Sequence, residues 1–544
     1  MQPTWLSLLP PFIVLVSAFI TKKIVRSLIF GIFAAGLIAT NFSVIDSIKL
    51  VLIKMWNNSE IGLLSSWSSF WGSSSLFIYS FLIIVGILIT LIAHSGGAFA
   101  YSNLMKKKIK NVEAAETATF FLSSSLFIDD YFNSLTVGSV MHSLTDAFRI
   151  PRVKLAFLVD SMAAPLCILS PISSWAGFIL MQMQKSGIST STANNSNLIN
   201  AQPFYVYLHT LPYVFYSIIL IASVFFIIRR KISFGSMRKY EESAKKTGNL
   251  FGNSKELKNE MPLVKEANKK NSNAIDMFLP ILMLIGAVFL SMLFCGNFYL
   301  FGGSNSFLNA LQNINSSKAL FLGGLFTVVV TTLFFLIRKK INISSLPSIC
   351  KEGTVLMFSS IIILILAWTF GDILSKNLET GVYLAQNLIS SVDIRFLPFL
   401  FFLTGAITSF STGSSWGAMA ILLPIAMPML ISFSHATTPA EVTNIIGIFP
   451  TLGAILAGAV FGDHTSPVAV TSIMSAKSSG CHLMDHIQTQ LTYALPVFIG
   501  TSIAFLFAGF LNNLSYSANL AISLGSGIII SFTILAIRNW MQKK

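Results

Sequence analysis

Apolar runs of 15 to 24 residues recur along most of the chain, and they constrain the fold more than any other feature. In water, each run would have to be buried by the rest of the protein. In lipid it needs only to satisfy its own backbone N–H and C=O groups, which a helix does. About 20 apolar residues in a helix span the hydrocarbon core. Charged residues make up 10% of the chain, against about 25% in a soluble domain. So little polar surface argues against a soluble enzyme, a nucleic-acid binder and a secreted disulfide scaffold. The net charge of +15 would suit a polyanion, but the basic residues sit at the ends of apolar runs, where they set membrane orientation. The four cysteines are far apart and form no CxxC pair, so they read as reduced packing residues.

Uninterrupted spans read at about 5–20, 25–42, 76–95, 205–228, 276–295, 318–337, 352–371, 488–511 and 519–537. Four further apolar stretches are broken. They are 113–146 (at Asp129-Asp130), 155–183 (at Pro165 and Ser170-Pro171), 396–433 (at Ser411 to Ser415) and 444–476 (at Gly462 to Pro467). Loops 21–26, 101–112, 147–154, 229–275, 338–351, 477–486 and 538–544 hold 30 of the 36 Lys and Arg, which assigns them to the cytoplasm. The first charge, Lys22, follows the first apolar run instead of preceding it, so this run reads as a first helix with its N-terminus outside and not as a cleavable signal.

This sorting has a topological consequence. Stretch 113–146 lies between two cytoplasmic loops, so it is a re-entrant hairpin. Stretch 396–433 lies between two outside loops, so it is a hairpin from the other face. The expected fold is an all-α polytopic membrane protein with two inverted-topology repeats, re-entrant hairpins and broken transmembrane helices. About eleven crossings and two hairpins result, with the N-terminus outside and the C-terminus inside. The organisation is a first repeat at 1–228, a cytoplasmic polybasic loop at 229–275 with 12 basic and 5 acidic residues, a second repeat at 276–511 and an extra helix at 512–544. Inverted repeats with broken helices at the midplane are the signature of secondary transporters.

Ionisable groups at the breaks are the candidate site, because a charge at membrane depth is costly unless partnered. Asp129 and Asp130 repel one another, so the pair suits holding a proton or exchanging it for a cation. Asn133, one turn on, offers a carbonyl; the competing reading is that one Asp caps the second half-helix. Asp160 and Ser161 supply a carboxylate and a hydroxyl in an apolar run, and Pro165 frees the carbonyl of Ser161. Ser170 adds a hydroxyl at the next break. Ser414 and Ser415 lie at a break that exposes a half-helix N-terminus, which favours an anion. Asp463 and His464 pair a carboxylate with a group that titrates near physiological pH, and Ser466 follows. Asp, His and Ser there are nearly consecutive, unlike the separated partners of a hydrolytic triad, so no enzyme is expected.

At these residues the chain resembles the NhaC-type sodium/proton antiporter family, through FIDDYFNSLTVGSVMHSLTDAFRIPRVKLAFLVDSMAAPLCILSPISSWAGF (Phe127–Phe178) and FGDHTSPVAVTSIMSAKSSGCHLMDHIQTQLTYALPV (Phe461–Val497). It departs from the family at Val470 and His482, where members carry acids. The resemblance implies cation-coupled antiport in a bacterial inner membrane. Asp130, Asp160 and Asp463 are then expected to hold Na+, Asp129 and His464 to tune them, and the serines to add oxygens. Na+ and H+ are cargo; no cofactor is expected. Expected partners are lipid, a monovalent cation and a proton, with a homodimer compatible and no nucleic acid. The alternative is a Na+- or H+-coupled carrier of a small organic acid or amino acid. A third reading, an intramembrane aspartyl hydrolase, would need catalytic Asp residues on two facing helices.

Overall fold

The computed structural model describes all residues except 1–4, 22–23, 63–66, 191–197, 253–272, 308–309, 311–314, 381–382, 384–392, 437 and 543–544. The first half contains α1 (Leu9–Thr21), α2 (Ile24–Ala39), α3 (Val44–Ser59), α4 (Ser74–Ser95), a hairpin of α5 (Val112–Ser125) and α6 (Asp130–Ala147), and a broken span of α7 (Arg152–Leu169) and α8 (Ser174–Lys185). It ends in α9 (Pro203–Thr210) and α10 (Phe215–Arg230), followed by α11 (Gly235–Thr247). The second half contains α12 (Ile275–Cys295), α13 (Ser316–Ile337), α14 (Leu346–Asp372), a hairpin of α15 (Leu397–Thr412) and α16 (Ser415–Phe433), a broken span of α17 (Ile448–Thr465) and α18 (Val470–Ser479), and α19 (Leu483–Phe510). The helix α20 (Tyr516–Met541) closes the chain. Among the described residues, eight helices are long and apolar enough to cross a membrane, or ten if each bent pair counts as one span; α1 and α2 are apolar but shorter.

Corresponding helices of the two halves make corresponding contacts. Helix α13 lies on α4, and its counterpart α2 lies on α14; α18 lies on α6, and its counterpart α8 lies on α16. Helices α4 and α14 pack together, as do α10 and α19, each pair joining one half to the other. In each half the hairpin tip touches the break of its own broken span. Ser174 donates its N–H to the Ile128 carbonyl at 2.9 Å. In the other half Ser466 Oγ donates to the Phe410 carbonyl at 2.6 Å. Glycine permits a close crossing here: a Cβ at Gly462 of α17 would lie 2.4 Å from the Phe410 nitrogen of α15.

The structure corrects four expectations. Pro165 stays inside α7, and the break falls only at Ser170 to Ser173, with a bend of 47°. The span at 205–228 is itself broken, bending by 45° after Leu211-Pro212-Tyr213, because proline withholds a helical N–H. Beside the helices, the described residues include a parallel two-residue strand pair joining Ile199-Asn200 to Ala440-Glu441. Loop 41–75 contains α3, whose Asp46, Lys49 and Lys54 mask its helical pattern. Loop 229–275 contains α11, which packs on α7 and α19 and buries Met237 and Ala244; residues 253–272 of that loop lie outside the described ones.

The α7–α8 span is pinned by a lysine at each end. Lys154, 4% exposed, lies 2.6 Å from Glu241 of α11 and 3.5 Å from Glu116 of α5. Lys185 donates to Glu60 at 3.0 Å, and Glu60 also accepts from Ser73 at 2.5 Å and Ser75 at 2.7 Å. Burial raises the Glu60 carboxyl, but the Lys185 ammonium and the two hydroxyls outweigh it and hold the group below the usual value of 4.5.

Two predictions follow from these pins. Lys154→Met leaves Glu116 and Glu241 buried without their cation, and should cost about 3–5 kcal/mol, read as a lower thermal midpoint of the detergent-solubilised protein. Glu60→Gln should cost about 1 kcal/mol at pH 7, since the pair is partly screened by water. A carboxyl lowered on folding stabilises fully above its unfolded value, so the deficit should shrink once the medium is acidified through 4.5 and below.

Candidate functional site

Helix breaks place the polar groups, because each break leaves backbone donors and acceptors that side chains must satisfy. Asp129 is the N-cap of α6 and accepts the Phe132 N–H at 3.0 Å. Its second oxygen accepts from Ser174 Oγ at 2.9 Å, so it also fastens the hairpin tip to the start of α8. Asp130 accepts from the next residue of α8, Trp175 Nε1, at 3.0 Å. Asn133 does not offer an unengaged carbonyl. Its Oδ1 accepts from Ser123 Oγ at 2.6 Å, and its Nδ2 donates to the carbonyls of Ser123 and Leu126 at 2.7 and 3.2 Å. It braces α5 against α6, which an amide in a hairpin is well suited to do.

Asp160 is 1% exposed and takes four donors. Ser472 Oγ lies at 3.0 Å and Ser475 Oγ at 3.3 Å, both from α18. His486 Nε2 lies at 3.0 Å and Gln490 Nε2 at 2.6 Å, both from α19. All four partners come from the opposite repeat. Gln490 Nε2 also donates to the carbonyl of His464, so one amide joins α7 to the end of α17.

His464 sits between the halves. Its Nε2 lies 3.1 Å from Ser161 Oγ of α7 and its Nδ1 lies 2.8 Å from the Tyr216 hydroxyl of α10. Asp463, 4% exposed, accepts from Thr471 Oγ1 at 3.2 Å and lies within electrostatic reach of both Asp130 and Asp160. The four acids Asp129, Asp130, Asp160 and Asp463 thus occupy one buried region, and none is paired with Lys or Arg among the described residues. The basic groups there are the imidazoles of His464 and His486.

The serines divide. Ser414 caps α16 by accepting the Gly417 N–H at 3.1 Å, and Ser415 is buried beside it. Gly413, with φ of 63°, supplies the left-handed turn at this tip, and a Cβ there would lie 2.7 Å from the Val468 backbone. Ser466 ties the second break to α15, as above. Ser170 caps the end of α7, and its Oγ accepts the Ile172 N–H at 3.4 Å. Ser161, next to Asp160 in the chain, lies against His464.

The sequence reading assigns Asp130, Asp160 and Asp463 to one Na+. Among the described residues no three His, Cys, Asp or Glu groups approach closely enough to hold a metal ion together. Asp130 faces the start of α8, whereas Asp160 and Asp463 both face α18, with α19 also contacting Asp160. A monovalent cation needs fewer carboxylates than such a cluster, and hydroxyls and backbone carbonyls are plentiful here.

The sequence reading missed Tyr216, Ser472, Ser475, His486 and Gln490. A signal existed for two of them. His486 and Gln490 are four residues apart, on one helical face.

Three relatives bear on identity. A Haemophilus influenzae protein named as an uncharacterized protein is 30% identical over 535 residues, covering 97% of this chain and 95% of its own. An uncharacterized Na(+)/H(+) antiporter of the same organism is 35% identical over 98 residues, 18% of each chain. The malate-2H(+)/Na(+)-lactate antiporter of Bacillus subtilis is 27% identical over 106 residues, 20% of each chain. The profile of the Na+/H+ antiporter family matches residues 166–510, a stretch that runs from the last turn of α7 to the end of α19. The chain belongs to the Na+/H+ antiporter family, whose members are secondary transporters.

Proposed function

We propose that the protein exchanges Na+ for H+ across a bacterial inner membrane by alternating access, with its N-terminus outside and its C-terminus in the cytoplasm. The observation that carries this reading is the buried group of four carboxylates with no Lys or Arg partner among the described residues. A buried carboxylate must be neutralised by a proton, a cation or strong donors. Asp130 and Asp463 each have one neutral donor, so they are acids for which Na+ and H+ compete. Asp160 has neutral hydroxyl and amide donors and an imidazole but no Lys or Arg among the described residues, so it too is open to Na+ or H+. Thr471 and the hydroxyls around the breaks supply further oxygens. Competition for one set of charges couples the two flows without a separate device: the site carries a cation one way and protons the other.

In this reading Asp129 and Asn133 set the hairpin geometry, and His464, held by Ser161 and Tyr216, links the moving parts. The half-helices stay fixed at the centre while one bundle rocks around them. Ser414 and Ser415 at the start of α16 favour a second reading, exchange of a small organic acid, since a helix N-terminus attracts carboxylates. The name of the Bacillus subtilis relative describes such cargo.

Everted membrane vesicles test both readings. Addition of Na+ should dissipate a preformed ΔpH, and an organic acid should not be required. If only an organic acid moves protons, the second reading replaces the first. Asp130→Asn and Asp463→Asn should each lower the Na+-dependent response at least tenfold, on the order of 1.4 kcal/mol or more in coupling free energy. Asp129→Asn should retain folding, because Asn caps a helix as well as Asp does, whereas Asp129→Ala should lose about 1 kcal/mol of thermal stability.

A further inference from the structure

We propose that Gln490 is itself a ligand of the transported cation, completing an oxygen site with Asp160, Ser472 and the carbonyls of Asp463 and His464. The inference rests on the cation-exchange reading above and names where the cation binds.

A cation site is a place where several oxygens are drawn to one point. The hydrogen bonds around Gln490 mark such a point. Its single amide nitrogen donates to Asp160 Oδ2 at 2.6 Å and to the His464 carbonyl. One oxygen belongs to the first repeat and the other to the end of α17 in the second, and the same donor holds both. Ser472 Oγ lies 3.0 Å from Asp160 Oδ2 and 3.4 Å from the Asp463 carbonyl oxygen. Two oxygens from two helices therefore share one small positive group, and the Ser472 hydroxyl and the Asp463 carbonyl adjoin them through the bonds of Ser472.

The fifth oxygen has its own evidence. Gln490 is fully buried, and its Oε1 has no hydrogen-bond partner. A buried amide oxygen without a partner is costly. It lies in the same amide plane, across one carbon from the nitrogen at the point of convergence. Turning the amide end for end brings this oxygen to that point and withdraws the N–H. Carboxylate, two carbonyls, a hydroxyl and an amide oxygen form a hard-oxygen set. With one formal charge among them, it matches a monovalent cation of the Na+ or Li+ kind better than a divalent one.

This site also explains why the carbonyls of Asp463 and His464 matter. They lie in the last turn of α17, where helical carbonyls lack intrahelical partners and the dipole is negative. A cation there is favoured by the helix end as well as by Asp160.

The test uses purified full-length protein in liposomes, with Na+ and Li+ as probes. Radiosodium binding and Na+-driven proton movement are measured side by side. Gln490→Leu should raise the half-saturating Na+ concentration about tenfold and alter the Na+/Li+ ratio, and Ser472→Ala should raise it about threefold. Gln490→Glu, which keeps an oxygen at the position, should bind radiosodium better than Gln490→Leu. Wild-type half-saturation and an unchanged Na+/Li+ ratio in a monodisperse Gln490→Leu protein would overturn the proposal. If Gln490→Leu aggregates on size exclusion, the smaller Ser472→Ala change decides, and an unaltered half-saturation there overturns it equally. Wild-type protein that binds radiosodium with this dependence on Gln490, yet moves no protons, would sink the exchange reading and leave the site standing. Wild-type coupling with no dependence on either residue would do the reverse.

Discussion

A carboxylate sealed from water at the centre of a membrane protein must be given donors, and Asp160 obtains all of its side-chain donors from the opposite repeat. That one constraint fixes the register of the two halves. An ionised group left bare at this depth costs several kcal/mol. Sliding α18 or α19 along α7 would remove hydroxyl, imidazole and amide donors together. The contact is therefore a far stronger determinant of how the repeats meet than the Leu, Ile and Phe packing around it. Apolar side chains tolerate exchange for one another with little change in energy, and lipid tails solvate them equally well.

The breaks follow from the same need. A continuous helix would bury its backbone groups in itself and present only side chains to the interior. Interrupting it at Ser170, Gly413 and Ser466 exposes helix ends whose carbonyls and N–H groups point inward. Those ends then require partners, and the hairpin tips provide them: Ile128 for Ser174 and Phe410 for Ser466. Each hairpin is thus the scaffold of the break in its own half, and Asp129 and Asn133 are the pieces that give the first hairpin its shape.

Much of this was legible in the chain because the expensive groups are rare. Acids inside apolar runs are few, and the breaks beside Asp129, Ser170, Ser414 and Asp463 carry the polar residues that mark helix ends. The hairpins follow from the charge of their flanking loops. What stayed hidden has a common cause. His486 and Gln490 lie in the first two turns of a span, where polar residues ordinarily face water near the membrane surface, so nothing in their composition set them apart. Asn133 looked like a free carbonyl because the sequence does not reveal that Ser123 lies opposite. Helix α11 was read as loop because its polarity resembles that of the residues after it; only its two buried positions, Met237 and Ala244, and the pairing of Glu241 with Lys154 hold it to the bundle.

The positions of Lys154 and Lys185 bear on how such a molecule moves. They anchor the outer ends of α7 and α8, where ion pairs hold each half to a different neighbour: α11 and α5 at one end, the segment before α4 at the other. Between them the span is bent by 47° and held at its break by hydroxyls and backbone groups, not by ion pairs. Buried ion pairs are costly to open one partner at a time, whereas single hydroxyl bonds are each worth about 1 kcal/mol. The ends are thus stiffer than the centre. Rearrangement confined to the centre would leave the ion pairs intact and change only the contacts of Asp160, His464 and Gln490. A conformational step that instead opened either face would have to exchange one lysine's partners for others, and the acids already adjoining Lys154, at Glu116 and Glu241, give it two between which to shift.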